Sequence, residues 1–187
     1  MDNKLICPWA RKDPLLRRYH DERWGRKVKD DQELFALLEL ESLSVGLSWR
    51  LILSKEELLR SAFDSFDPML CSQEGEDKVE QLLALKGMIR HRKKIESVFH
   101  NARCFLLIVK EYGSFLPYLE QIVGERKDNH LTAEDRLPTV SKESLLLSKD
   151  MKRRGFLYLG PVILYSYLQA VGLVDDHLLS CPFHGIE

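Results

Sequence analysis

The chain has 187 residues, of which 44% are hydrophobic and 30% charged, with a net charge of −1. That apolar share supports one folded core without disulfide staples, and the near-neutral balance argues against a protein that coats nucleic acid with a broad basic surface. No run approaches the roughly 18 apolar residues of a membrane span, and "MDNKLICPWARKD" lacks the apolar core of a secretory leader.

These features point to a cytoplasmic protein with no membrane partner. In a reducing compartment the four cysteines are better suited to metal than to disulfides. Residues 1–187 are expected to form a single domain, with two helical lobes.

The N-terminal segment "CPWARKDPLLRRYH" sets His20 after Cys7 with twelve residues between them and brings in Trp9 and Tyr19; Trp24 follows. In "DDQELFALLELES" the helical period puts Leu34, Leu38 and Glu41 on one stripe, with Leu37 beside it. A carboxylate on an apolar stripe needs a partner, either an arginine at the helix end or a ligand that is cationic or rich in N–H donors. Trp9, Tyr19, Trp24 and Trp49 are candidate walls for such a pocket, or else core residues.

Farther along, "KVEQLLALKG" and "KKIESVFHNARCFLLIVKEYG" read as helices stopped by glycine, and "SFLPYLEQIVG" as a shorter one. "KGMIRHRKK" gathers Lys86, Arg90, Arg92, Lys93 and Lys94. "ERKDNHLTAEDRLPTV" is polar and reads as a long loop. Ser141 is a helix N-cap for "SKESLLLSKDMKRRG", and Pro161 opens "PVILYSYLQAVG".

Between those last two helices lies a short turn closing on Gly160, preceded by Lys149, Lys152, Arg153 and Arg154. Backbone N–H groups at such a turn can hold a phosphate; an ordinary helical hairpin is the alternative. No alternating strand pattern appears, so the fold class is all-α.

The chain ends with "VDDHLLSC". On a helix, His177 and Cys181 would share a face, as two ligands of one metal do. Cys7 and His20 are candidates for the other half of a four-ligand zinc site that would tie the termini together. His184 is a rival ligand, and a core histidine beside an incidental thiol is the plainer reading. Cys104 reads as a small core residue, and Cys71 has no histidine nearby.

Taken in order, "CPWARKDPLLRRYHDERWG", "GLSW", "IRHRKKIESVFHNAR", "KRRGFLYLGP" and "LQAVGLVDDHLLSC" resemble the 3-methyladenine DNA glycosylase I family from Cys7 to Cys181. The resemblance implies an all-α helix-hairpin-helix DNA glycosylase-like domain, with the helix-hairpin-helix at about 142–172. It also implies a structural Zn2+ site made of Cys7, His20, His177 and Cys181.

The implied activity is hydrolysis of the N-glycosidic bond of 3-methyladenine in alkylated double-stranded DNA, in base excision repair, by a monomer. Glu41 would recognise the cationic base, Tyr19 and Trp49 would stack on it, and Trp9 would complete the pocket. Leu47 would fill the gap in the base stack; the Gly160 turn, with Arg153 and Arg154, would grip the backbone.

The sequence departs from the family pattern at Ser42–Val45 and at Val162–Ile163, near the implied pocket and DNA contact. Those departures keep open a zinc-stabilised DNA-binding member with altered specificity or lost catalysis. Asp175 stands where the family generally has Asn. It is a candidate for stabilising positive charge on the sugar, or else a helix N-cap or a partner of His177.

Overall fold

In the computed structural model, which describes residues 5–186, ten α-helices dominate. They are α1 (Pro14–Glu22), α2 (Asp31–Ser44), α3 (Trp49–Ser54), α4 (Glu56–Ala62), α5 (Pro68–Gln73), α6 (Glu76–Ala84), α7 (Arg92–Tyr112), α8 (Phe115–Val123), α9 (Lys142–Arg153) and α10 (Pro161–Ala170). Helix starts follow local chemistry. Asp13, Asp30, Ser48, Asp67 and Ser141 each accept backbone N–H bonds at an N-terminus, Ser141 within a reciprocal capping box with Ser144. α7 stops at Gly113, whose φ of 85° suits glycine best.

The larger core surrounds α2, α7 and α10. α7 packs on α5 and α8, and α2 lies against α7 and α10. At the centre of this core Phe105 stacks on Phe115 and meets Phe35 at a tilt, and Leu34, Leu38 and Leu168 are fully buried. Each such side chain contributes about 1.5–3 kcal/mol of burial. A smaller second core joins Ile6, Cys7, Ala10, Tyr19 and Trp24 to Leu131, Leu178 and Cys181, so it binds both ends of the chain together.

The long polar loop contains β1 (Lys127–Asp128), which pairs in parallel with β2 (Val174–Asp175). A two-residue strand cannot display a period of two, which is why the sequence reads as all-helical there. β2 also corrects the expectation of a helix through His177 and Cys181. The segment leaves α10 through Gly172 (φ 75°), where a Cβ would lie 2.4 Å from the Arg26 carbonyl carbon, and runs as strand and turns instead. Among the described residues, no helix is long and apolar enough to cross a membrane.

Candidate active site

A cleft of about 280 Å³ opens between the second core and the C-terminal end of α2; Trp9, Tyr19, Trp24, Glu41, Ser44, Leu47, Trp49, Leu137, Ile163, Ser166 and Gln169 line it. Its aromatic walls are mutually braced. Tyr19 meets Trp49 edge-on with ring centroids 5.4 Å apart, and Trp9 meets Trp24 at 5.0 Å. The Arg23 guanidinium, held by Glu56 at 2.7 Å, sits 5.5 Å from the Tyr19 ring centre.

Glu41 is 6% exposed, and among the described residues no side chain donates a hydrogen bond to its carboxyl group. Burial alone pushes that carboxyl up to about 8. The arginine partner anticipated as an alternative is absent, because Arg23 and Arg60 are committed to Glu56 and Glu33. The Tyr19 hydroxyl is held far above its ordinary range, first by burial and then by the Glu41 charge.

Leu47 stands at the rim of the cleft, 39% exposed, on the turn that follows α2. Gly46 has φ 74°, and Leu47 donates its N–H to Ser44 O at 2.7 Å. Lys94, which the sequence placed in a basic patch, is buried instead. Its ammonium bonds Leu43 O at 2.8 Å and also Val45 O, capping the carbonyl end of α2.

Two residues upstream of Glu41, Glu39 is wholly buried on another face of α2, and burial outweighs its hydrogen bonds to push it up to about 8. It accepts from Ser42 Oγ (3.0 Å) and Asn101 Nδ2 (3.0 Å). Asn101 also holds both main-chain groups of Leu157, donating to its carbonyl at 3.1 Å and accepting from its N–H at 2.9 Å. Leu157 lies in the turn between α9 and α10, so this buried chain fixes the hairpin turn against α7 and α2. Neither Glu39 nor Asn101 was singled out in the sequence, where both look like ordinary members of amphipathic helices.

The turn itself has Gly155 at φ 94° and Tyr158 at φ 60°, and it ends on Gly160, the N-cap of α10. The Tyr158 ring meets His91 at 6.4 Å, which brings the 86–93 segment alongside the turn. There Lys86, Arg90 and Lys93 are exposed and carry no ion pair among the described residues, while Arg92 is shared by Glu76, Glu80 and Glu96.

The structure does not bring Arg153 and Arg154 to this surface. Arg154 is bonded to Asp150 and Glu111 and packs over Tyr112 and Tyr118, and Arg153 is paired with Asp150 in a separate cleft beside α8. Arg154 thereby joins the end of α9 to α7 and α8, whereas the Arg153 charge is matched within α9 itself. Of the departures from the family pattern, Ser44 and Ile163 reach the aromatic cleft; Ser42 is turned to Glu39, Leu43 is core, and Val162 faces outward.

Behind Trp9 and Trp24, Cys7 Sγ, His20 and Cys181 Sγ bring their donor atoms within 4.8 Å of one another, all buried. The His177 ring lies 4.9 Å from that of His20 and 4.5 Å from that of Trp24. Its Nδ1 is bonded to Asp175 Oδ1 at 2.9 Å, and its Nε2 is buried without a partner. Gly25 makes room for this ring, since a Cβ there would lie 2.7 Å from His177 Cε1. The hydrogen bond between the two thiols draws Cys181 down, despite burial, and pushes Cys7 up. Two thiols, two imidazoles and an orphaned imidazole nitrogen suit a tetrahedral Zn2+.

Asp175 does not line the cleft. Its oxygens are taken by His177, Arg126 (2.9 Å) and the Gly185 N–H (2.8 Å); against burial, the bonds from His177 and Gly185 bring it down to about 2. The carboxylate considered for the sugar is thus an orienting partner of His177. Gln169 and Ser166, which do line the cleft, were missed; with Ile163 they fall at i, i+3 and i+6 on α10, a period that the sequence carries.

The family model for methyladenine glycosylase matches residues 9–184. A relative from Escherichia coli (strain K12), DNA-3-methyladenine glycosylase 1, is 38% identical over 176 residues, covering 94% of this chain and 94% of that protein. A structure of 3-methyladenine DNA glycosylase I (TAG) from Staphylococcus aureus superposes with a TM-score of 0.91 at 40% identity, covering 97% of each chain. A single-residue variant of TAG in complex with 3-methyladenine superposes at 0.90 with 41% identity, covering 95% of this chain and 96% of that one.

Proposed function

The chain belongs to the 3-methyladenine DNA glycosylase I family, and from that membership we propose that it excises 3-methyladenine from alkylated double-stranded DNA as a monofunctional glycosylase in base excision repair. The observation that carries this reading is Glu41: a carboxyl group withdrawn from water, without a protein partner, inside an aromatic cleft. Such a group favours a cationic, N–H-bearing base over a neutral one, because the cation restores the ionised carboxylate that burial disfavours. Tyr19, Trp9 and Trp49 add cation–π attraction at their ring faces.

The nucleotide is extruded from the stack at a cost of a few kcal/mol, which is smallest for a damaged base, and Leu47 fills the gap. The C1′–N9 bond breaks with its electron pair moving to the base, which leaves neutral. Water adds to the sugar cation at C1′ and loses a proton, giving an abasic site. Because the base departs as a neutral molecule, no strong general acid is needed, and no lysine lines the cleft to form a Schiff base.

Cys7, His20 and Cys181, whose donors lie together, would hold Zn2+ with His177, oriented by Asp175, as fourth ligand, and the ion would supply structural cross-linking of the two chain ends. The backbone grip is supported by the N–H groups at Gly160 and the start of α10, beside the unpaired Lys86, Arg90 and Lys93. A monomer acting in the cytoplasm completes the reading.

Base release from methylated duplex DNA tests it. Wild type should liberate 3-methyladenine, and folded Glu41→Gln should not; absence of that base from the wild-type reaction would refute the proposed substrate. One equivalent of zinc should copurify, and Cys181→Ala should lower thermal stability more than it lowers activity per folded molecule. A metal-free protein of equal stability would refute the zinc assignment.

A further inference from the structure

His184, the sequence's rival ligand, is not among the donors of the Cys7–His20–Cys181 cluster. Its Nε2 lies 2.9 Å from Asp128 Oδ2, and His130 Nδ1 lies 3.1 Å from the same oxygen. The three donor atoms are all within 4.8 Å of one another, on the outer side of the segment that follows Cys181. We propose that Asp128, His130 and His184 form a second metal site, for a divalent first-row transition ion, separate from the Cys/His cluster.

The framework holds these donors without using them elsewhere. Asp128 is set by β1, paired in register with Asp175 on β2. Its other oxygen, Oδ1, accepts the His130 N–H at 2.7 Å, which leaves Oδ2 facing the two rings. His184 is placed by its own N–H bond to Cys181 O at 3.0 Å, and the next residue, Gly185, donates to Asp175.

No lysine or arginine neutralises Asp128 among the described residues. The neighbouring Lys127 pairs with Glu143, and Arg126 with Asp175. A carboxylate whose side-chain ion-pair partners are two imidazoles is therefore supplied with nitrogen donors on one side and open to solvent on the other, where His130 is exposed.

The donor set selects the ion. Two imidazoles and one carboxylate suit Zn2+, Co2+, Ni2+ or Cu2+; Ca2+ and Mg2+ favour oxygen ligands, and soft Cu(I) favours sulfur. Bonds of about 2.0–2.2 Å to the three donors require only small side-chain rotations from the observed spacing. Three protein ligands leave at least one position for water, so this site is open, whereas the Cys/His cluster is closed. Occupancy would pin the 182–185 segment to the 128–131 loop, bracing the turn that presents Cys181.

The test is calorimetric titration of the full chain with Ni2+, together with Ni2+-induced broadening of amide resonances. Broadening centred on residues 128–131 and 183–185 is expected. The binding event should weaken by more than about tenfold, the scale on which loss of an outer-shell partner alone acts, in Asp128→Asn, His130→Ala and His184→Ala. His130 is 71% exposed in its side chain, so its replacement leaves the fold intact and isolates the ligand effect. Saturating Ni2+ should also raise the thermal midpoint of wild type and not of the His130→Ala variant. Ni2+ binding that is equal in all four proteins, or broadening centred on Cys7 and His20, would overturn the site.

Discussion

Glu39 and Glu41 lie two residues apart on α2, both buried and both pushed up to about 8, yet they face different surroundings. Glu39 is enclosed by Ser42 and Asn101, which links it to the hairpin turn; Glu41 looks into an aromatic cleft with no partner. A buried carboxyl with all its bonds made contributes to architecture. One that lacks them marks where a ligand completes the protein.

The contrast should be sharpest in Glu41→Gln. Excision of 3-methyladenine is expected to fall about a hundredfold or more, on the scale of a lost electrostatic contact, with no loss of fold. Glu39→Gln keeps an acceptor and should leave excision within about twofold, as measured by base release per folded molecule. Equal losses in the two variants would dissolve the distinction between them.

Asn101→Ala should have the largest effect on stability. It strips the amide partner from Glu39 and leaves both main-chain groups of Leu157 unpaired, for a loss of about 2–4 kcal/mol in denaturant unfolding. Weaker DNA binding should accompany it, because the hairpin turn loses its anchor on α7.

The pH dependence of stability follows from the same pair. Folding raises both carboxyls above their ordinary values, so the folded protein keeps protons that the unfolded chain releases. Their contribution is whole below the ordinary carboxylate range. It is lost as pH rises toward about 8, with a slope of up to about 1.4 kcal/mol per pH unit for each group. Glu39→Gln and Glu41→Gln should each flatten that decline, most visibly between about pH 5 and pH 8.

The smallest effect expected concerns the basic residues. Neutralising Lys93 or Arg90 should make the salt dependence of DNA affinity shallower by about one unit of slope. Arg154→Ala should leave the slope unchanged while lowering stability, since its charge is already matched by Asp150 and Glu111. A reduced slope in Arg154→Ala would return that residue to the DNA surface.

Much of the fold was legible because it is set locally. Apolar spacing marks α2 and α7, Ser141 and Pro161 open α9 and α10, and Gly113 closes α7. Glu41 stood out for the same reason, as an acid on an apolar stripe, and the aromatic residues expected around it do line the cleft. The Cys and His residues suited to a metal were visible as residue types, and three of them meet in space.

Which charges are free was not legible. Lys94 and Arg92 look alike in "IRHRKK", yet one caps α2 from within the core and the other is covered by three glutamates. Arg154 looked available beside the turn and is enclosed; Asp175 was open to a role at the sugar or beside His177, and packing places it on His177. Helices arise from hydrogen bonds and side-chain spacing within a few residues, so the sequence determines them and the residue types they display. Whether a buried or charged group is satisfied depends on partners 50 or more positions away, as for Asn101 with Leu157 and Glu39, and only tertiary packing decides that.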